Sequence, residues 1–232
     1  MSEIRFRLRS TIAGLLLVSG FLFGQSVPED FGVWIGASYN HTLPDNWSTR
    51  LTAQARTNDN SRTLSRFFIN ASATRKFSRF FRMSAGYRFI NSQRKGNTWA
   101  TRHRLMLDAR VSVFPKRSVL SYRSRIQGDA GGNRYYSQSN KTQRIYWRHT
   151  LKYTYRLNRK YEPYVAAEAR FQLQNASSPE IDGFERLRLV AGTEIKLSKK
   201  HSLDIYGLMN EPFNRYPRAR MFVLGIEYSF SN

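Results

Sequence analysis

Residues 102–113, RHRLMLDARVSV, alternate apolar and mostly polar side chains at every second position. Successive side chains of an extended strand point to opposite faces of its sheet. This segment therefore predicts a strand with one apolar face and one charged face. A helix is excluded, because its apolar positions would recur at three and four residues. The apolar face consists of Leu105, Leu107, Ala109, Val111 and Val113, and the opposite face of Arg104, Met106, Asp108, Arg110 and Ser112.

The same alternation returns along most of the chain. Five further segments show it clearly and five weaker ones fill the gaps, which gives eleven candidate strands. Their lengths are close to the roughly 9–11 residues that a tilted membrane-spanning strand needs. The clear segments are residues 47–56, 81–89, 144–157, 186–197 and 222–230, and the weaker ones are 33–39, 66–76, 120–127, 163–173 and 203–209.

Two kinds of connection alternate in strict order between these segments. One kind is short and turn-like (residues 43–46, 77–80, 114–118, 158–161 and 198–202), and the other is longer and polar (57–64, 91–97, 128–142, 174–183 and 210–218). Bacterial outer-membrane barrels have short periplasmic turns and longer extracellular loops. We therefore predict an all-β chain that forms a transmembrane antiparallel outer-membrane β-barrel of about 10–12 strands.

Whether the number of spanning strands is odd or even leaves two alternatives open. If the short turns are periplasmic, the strand that precedes residue 43 must start outside the cell. The mature N-terminus of a barrel is nevertheless expected to begin in the periplasm. Either residues 33–39 do not form a full spanning strand, or a further strand is hidden in the sequence.

The N-terminal segment has the pattern of an export signal. Arg5, Arg7 and Arg9 precede an apolar run at residues 11–23, and the small residues Gly24 and Ser26 follow it. The run is shorter than the roughly 20 apolar residues of a spanning helix, so a cleaved signal is favoured over a membrane anchor. We predict a signal peptide at residues 1–25 and a single barrel domain at residues 26–232 of the bacterial outer membrane.

The charge balance is strongly basic. Lysine and arginine number 38 and aspartate and glutamate 16, which gives a formal net charge of +22. Such an excess is typical of proteins with polyanionic partners, but nucleic-acid sites gather their cations on one exposed patch. Here arginines recur at every second position along most strands and follow an export signal, so no nucleic-acid partner is expected. The absence of cysteine excludes disulfides and thiol chemistry.

Several short motifs, in their order and spacing, carry a resemblance to a known family. They are FGVW at residues 31–34, Gly86-Tyr87-Arg88, residues 102–110, YRSR at 122–125, Glu162-Pro163-Tyr164 with Glu168, and ERLR at 185–188 with Gly192. In this arrangement the chain resembles the outer-membrane barrel family named domain of unknown function 2490 (DUF2490). The resemblance covers essentially the whole mature chain and implies a fold and a location, but no activity. Tyr228 and Phe230 also resemble the C-terminal aromatic signature that the barrel assembly machinery reads.

If the apolar faces contact lipid, the opposite faces line the lumen. The residues predicted to line it are Arg50, Arg82, Arg88, Arg102, Arg104, Arg110, Arg123, Arg125, Arg144, Arg148, Arg170, Arg186, Arg188, Asp108, Glu168 and Glu194, and the same pattern adds Arg56, Arg66, Lys152, Arg156, Lys196, Asp204 and Glu227. Only five of these residues are acidic, and a buried charge must be paired or hydrated. Either the lumen is wet and holds anions, or loops and lipopolysaccharide phosphates supply negative charge.

The predicted function is that of a structural or surface-binding barrel or a small anion-preferring channel, since charged rings set pore selectivity. The alternative is an outer-membrane hydrolase that acts on lipid or lipopolysaccharide. His103 and His149 fall on the lipid-facing positions, and His41 and His201 lie at or beside short turns. No catalytic, cofactor or metal site is therefore predicted, and the protein is not expected to be an enzyme. The expected partners are outer-membrane lipid and lipopolysaccharide, the assembly machinery during insertion, and small anionic solutes.

Overall fold

The computed structural model describes residues 28–93, 98–130, 144–175, 183–213 and 219–232. The predicted signal peptide lies outside these residues, as do parts of four of the predicted long loops. The described residues form eleven strands, as the alternation predicts. They are β1 Glu29–Thr42, β2 Trp47–Asn58, β3 Thr63–Lys76, β4 Phe81–Gln93, β5 Trp99–Val113, β6 Ser118–Ala130, β7 Arg144–Tyr155, β8 Tyr161–Asn175, β9 Gly183–Lys196, β10 His201–Pro212 and β11 Arg220–Ser231. No helix among the described residues is long and apolar enough to cross a membrane.

The strands close into a barrel. Each strand pairs antiparallel with its neighbours in the chain, and β1 pairs parallel with β11. The predicted fold class is therefore confirmed. The parity is explained by neither of the two alternatives: β1 is a full strand of 14 residues, and no further strand occurs in the described part of the chain. An odd number of strands is closed instead by one parallel pair, so β1 and β11 begin at the same end of the barrel.

The two ends of the barrel differ in their connections. The end that carries the connections β1–β2, β3–β4, β5–β6, β7–β8 and β9–β10 is called the turn end, and the opposite end the loop end. At the loop end the predicted long connection 57–64 is wrong in length, because β2 extends to Asn58 and β3 begins at Thr63. Side chains build the turns at the turn end. Asp45 and Asn46 have positive φ angles of 55° and 62°, which these two residue types tolerate. In two other turns, the side chains of Ser78 and Asn158 accept hydrogen bonds from backbone N–H groups two and three residues later.

The outer face of the barrel is apolar. Leu105 is 67% exposed, and Ile35 and Val165 are more than half exposed. Such a continuous band of apolar side chains is the feature that allows a barrel to sit in lipid. Aromatic side chains lie near its edges, with Trp47 and Phe80 at the turn end and Trp99 at the loop end. These are the positions that amphipathic rings favour at a membrane–water interface.

One wall of the interior, formed by β1, β10 and β11, is packed with apolar and aromatic groups. Trp34, Leu208 and Val223 are buried together there, and Tyr206 packs against them. The ring of Tyr206 lies so close to β11 that a Cβ atom on Gly225 would be 2.0 Å from its Cζ. Only glycine leaves room for the ring at this position, so the ring fills the space beside the seam between the first and last strands.

The orientation of β5 predicts a depth-dependent effect of a charge on the outer face. Leu105→Arg places a guanidinium near the middle of the strand, whereas Val113→Arg places it on the same face at the turn end. Leu105→Arg is expected to lower the free energy of unfolding in lipid vesicles by about 2–4 kcal/mol, and Val113→Arg by about 0–1 kcal/mol. Urea titrations measure both values. Equal losses for the two variants would show that the middle of β5 does not face hydrocarbon.

Candidate functional site

A cavity of about 740 Å³ runs inside the barrel. It extends from Thr42 and Ser48 at the turn end to Arg66 and Arg102 near the loop end. Of the residues predicted to line the lumen, the structure places these along the cavity: Arg50, Arg82, Arg88, Arg102, Arg104, Asp108, Arg110, Arg123, Arg125, Arg148, Arg170, Arg186 and Arg188. Arg56, Arg66 and Glu227 line it as well. The cavity is thus bounded mainly by arginine.

Seven of the predicted residues lie outside this lining: Arg144, Lys152, Arg156, Glu168, Glu194, Lys196 and Asp204. Glu168 is buried behind its arginine partners. Arg144 is the cross-strand neighbour of Asp129 on β6. Glu194 lies between Glu162 and Asp204 on the adjacent strands.

Glu168 is the centre of the largest ion-pair group in the lumen. It accepts hydrogen bonds at 2.6 and 2.8 Å from Arg148, at 3.1 Å from Arg123 and at 3.3 Å from Arg188. The hydroxyl of Thr150 donates a further bond of 3.0 Å. Three guanidinium groups from β6, β7 and β9 therefore share one carboxylate on β8. The group holds four strands together across the interior.

Three smaller groups repeat this chemistry. The two donors of Arg125 bind Asp108 at 2.5 and 2.6 Å, which is a bidentate pair. Arg104 binds Asp129 in the same way at 2.5 and 2.7 Å. Glu185 lies 2.7 Å from Arg170 and 3.9 Å from Arg186. Each carboxylate is largely removed from solvent and faces at least one guanidinium, so these charges are stabilised by pairing.

The expectation of only five inward acids is wrong, because Asp129, Glu162 and Glu185 also face cations of the lumen. The predicted loop 128–142 includes Asp129, but Asp129 lies on β6 and continues the alternation of Arg125 and Gln127, a signal that could have revealed it. Glu185 is displaced by a bulge: Arg170 pairs with Arg186 and Phe171 with Phe184, which leaves Glu185 unmatched. A bulge re-aims a side chain, so simple alternation places Glu185 on the wrong face.

On the wall formed by β2, β3 and β4, the arginine side chains contact aromatic rings and hydroxyl groups instead of carboxylates. The guanidinium of Arg56 lies 3.6 Å from the ring centre of Trp34, and that of Arg88 lies 4.0 Å from the ring centre of Phe68. Arg66 donates a hydrogen bond of 3.0 Å to Ser92. Aromatic rings and hydroxyl groups position these cations without cancelling their charge. The wall therefore keeps a net positive charge toward the cavity.

His103, His149 and His201 lie on the outside of the barrel, and His41 lies beside the turn end of the cavity. His103 and Tyr87 form a hydrogen-bonded pair at 2.7 Å, and His149 and Tyr122 a second pair at 2.6 Å. His201 bonds Tyr228 at 2.5 Å near the turn end, and His41 stacks on the ring of Tyr39. In the described ranges no group of three or more histidine or acidic side chains is arranged to hold a metal ion. The hydrolase alternative therefore gains no support from the described side chains.

Comparison with protein families identifies the chain. A family model described as "Protein of unknown function (DUF2490)" matches residues 31–221. The chain belongs to this family. The match confirms the resemblance derived from the sequence motifs. A comparison with curated proteins gave no significant match.

Two solved structures are similar to this DUF2490 barrel. One is the β domain of the Bordetella autotransporter BrkA, with a TM-score of 0.52 and 11% identity over 81% of this chain and 82% of that chain. The other is the NanC porin, with a TM-score of 0.50 and 9% identity over 78% of this chain and 87% of that chain. At such low identity the likeness shows the fold alone. The chain is thus an outer-membrane-type β-barrel with a charged interior.

The group around Glu168 predicts a large stability difference between two carboxylates. Glu168→Gln leaves three buried guanidiniums without their negative partner, so the free energy of unfolding should fall by about 3–5 kcal/mol. Glu194→Gln is the matched control, because the cross-strand neighbours of Glu194 are the acids Glu162 and Asp204 rather than cations. This variant should cost less than about 1 kcal/mol. Urea unfolding of the refolded barrel measures both. Similar losses for the two variants would contradict the assigned pairing.

Proposed function

We propose that the protein is a bacterial outer-membrane barrel whose lumen takes up and passes small anions. The observation that supports this proposal is a cavity in which five of the lining arginines have no carboxylate partner among the described residues. Arg50, Arg66, Arg82, Arg88 and Arg110 line the cavity, and none of them forms an ion pair with a described residue. Hydration and mobile anions are the remaining ways to stabilise these charges.

The charge of the cavity wall gives the proposed selectivity its physical basis. A narrow opening with low-dielectric walls and one sign of charge concentrates counter-ions and repels ions of the same sign. The arginines reach from Arg82 near the turn end to Arg66 near the loop end. An anion can therefore meet a guanidinium along the length of the cavity. The predicted arrangement places the short turns in the periplasm and the longer loops near lipopolysaccharide.

A structural barrel with a closed interior is the second candidate function. The ion-pair groups of Glu168, Asp129 and Glu185 cross β5 to β9 and favour it, because they fill the lumen with side chains. The wall of Trp34 and Tyr206 adds packed apolar groups on the opposite side. In this candidate the arginine wall is hydrated but leads to no open path.

Conductance across planar bilayers distinguishes the two candidates. In a gradient of potassium chloride, an anion-preferring lumen should give a reversal potential with the same sign as the equilibrium potential of chloride. The double variant Arg66→Gln/Arg88→Gln removes two lumen charges and should shift the reversal potential toward zero. Lys116→Gln/Arg117→Gln is the matched control, because it removes two charges from the turn between β5 and β6. Its reversal potential should equal that of the unaltered protein.

Two results would contradict the proposed passage of anions through the lumen, which is called the conduit. Folded protein that gives no current would favour the closed structural barrel. A current that prefers potassium would show that the arginine wall does not control the path.

A further inference from the structure

Three arginines lie side by side on β4, β5 and β6 near the turn end. Arg82 is the cross-strand partner of Arg110, and Arg110 is the partner of Arg123. Neighbouring strands are about 4.8 Å apart, so the three side chains project from adjacent positions into the same part of the lumen. Like charges directly opposite each other destabilise a sheet. The row is called the Arg82 row.

A second row of adjacent arginines in the same barrel serves for comparison, because its members have carboxylate partners. Arg125, Arg148, Arg170 and Arg186 are successive cross-strand partners on β6 to β9. Each of these four has a carboxylate within ion-pair distance, supplied by Asp108, Glu168 or Glu185. Adjacent guanidiniums in this row are thus compensated by the protein itself.

Two of the three arginines of the Arg82 row, Arg82 and Arg110, lack such compensation from the described residues. Arg82 and Arg110 form no ion pair with any residue in the described ranges. Arg123 uses one terminal nitrogen for Glu168, and its buried Nε atom has no hydrogen-bond partner among the described residues. The nearby hydroxyl groups of Thr74 and Ser84 bond each other at 2.8 Å. The guanidinium donors of Arg82 and Arg110, which line the cavity, are therefore left available to a ligand.

The acids of the turn end lie on the far wall of the barrel. Glu162, Glu194, Asp204 and Glu227 form a cross-strand row on β8 to β11. Asp204 is the fourth residue of β10 and Arg110 is the fourth from the end of β5, both counted from the turn end. The two strands are five apart in a ring of eleven, which is the largest separation the ring allows. The two rows thus lie on opposite walls, and no ion pair joins them among the described residues. Asp108, the acid next to Arg110 on β5, is paired with Arg125.

We infer that Arg82, Arg110 and Arg123 form a subsite near the turn end that binds the oxyanion group of a small solute, a phosphate or a carboxylate. The planar donors of guanidinium match such oxygens in pairs, whereas chloride offers no such geometry. The subsite lies inside the lumen near the turn end, so its ligand is a free solute rather than the headgroup of a lipid in the surrounding bilayer. This inference rests on the proposed uptake of anions and adds the class of ligand.

Inorganic phosphate is the probe for a first experiment on conductance. Phosphate added to the chloride solution should reduce the chloride current of the unaltered protein. Arg82→Gln/Arg110→Gln should raise the half-blocking phosphate concentration at least tenfold. Arg66→Gln/Arg88→Gln removes the same charge from another part of the lumen and should change that concentration less than twofold. An equal change in both double variants would overturn the subsite, because it would reflect only the overall charge.

The conservative variant Arg110→Lys tests the geometry apart from the charge. Lysine keeps the positive charge but not the planar fork of donors. The reversal potential in chloride should keep its sign, because the charge remains, while the half-blocking phosphate concentration should rise several-fold. Unchanged block by phosphate would show that paired donors are not used, and would count against an oxyanion subsite.

A second experiment needs no current. Phosphate that binds only the folded barrel must raise its unfolding temperature, measured in detergent micelles against chloride at equal ionic strength. The increase should be lost in Arg82→Gln/Arg110→Gln and kept in Arg66→Gln/Arg88→Gln. A rise in unfolding temperature with phosphate, together with no current across planar bilayers, would support the subsite and refute the proposed passage of anions. An anion-selective current without block or stabilisation would refute the subsite and leave the conduit standing.

Discussion

A backbone N–H or C=O group left unpaired in hydrocarbon costs several kcal/mol, so membrane-spanning strands must close on themselves. Eleven strands joined by hairpins can close only if the first and last run parallel. Here twelve residues of β1 pair with twelve of β11. Backbone bonds from Arg220 to Pro28 and from Thr42 to Asn232 continue this seam at its two ends. Arg220 also bonds Glu29 on β1 and Glu211 on β10, which ties three strands together at the loop end.

Closure also decides which charges meet in the interior. The register of each hairpin fixes which inward side chains are neighbours, and the ring fixes which walls face each other. Glu168 reaches Arg148 and Arg188 because β7 and β9 pair on either side of β8. Arg123 reaches it from β6, one strand farther away. The acid row of β8 to β11 and the Arg82 row of β4 to β6 are separated for the same reason. The lumen therefore has one wall of compensated charge and one that remains cationic.

Local features could be predicted from the sequence, whereas long-range ones could not. Alternation acts between residues two apart, so the eleven strands and their inward arginines followed from it. The partner of β1 lies almost 200 positions away, and nothing in residues 33–39 distinguishes a parallel neighbour from an antiparallel one. The bulge at Glu185 shifts the side chain without any change in composition, so this acid was missed. The pairing of particular arginines with particular acids depends on the register and was likewise beyond the sequence.

The contrast between the two arginine rows bears on the excess of positive charge. If arginine served only to fill a narrow bore, both rows would need carboxylate partners, since an uncompensated charge removed from water costs more than any packing it provides. The row of Arg125 has such partners, and Arg82 and Arg110 have none among the described residues. Their charge is tolerable only where water or an anion can reach it. Water or an anion must therefore reach the wall near the turn end.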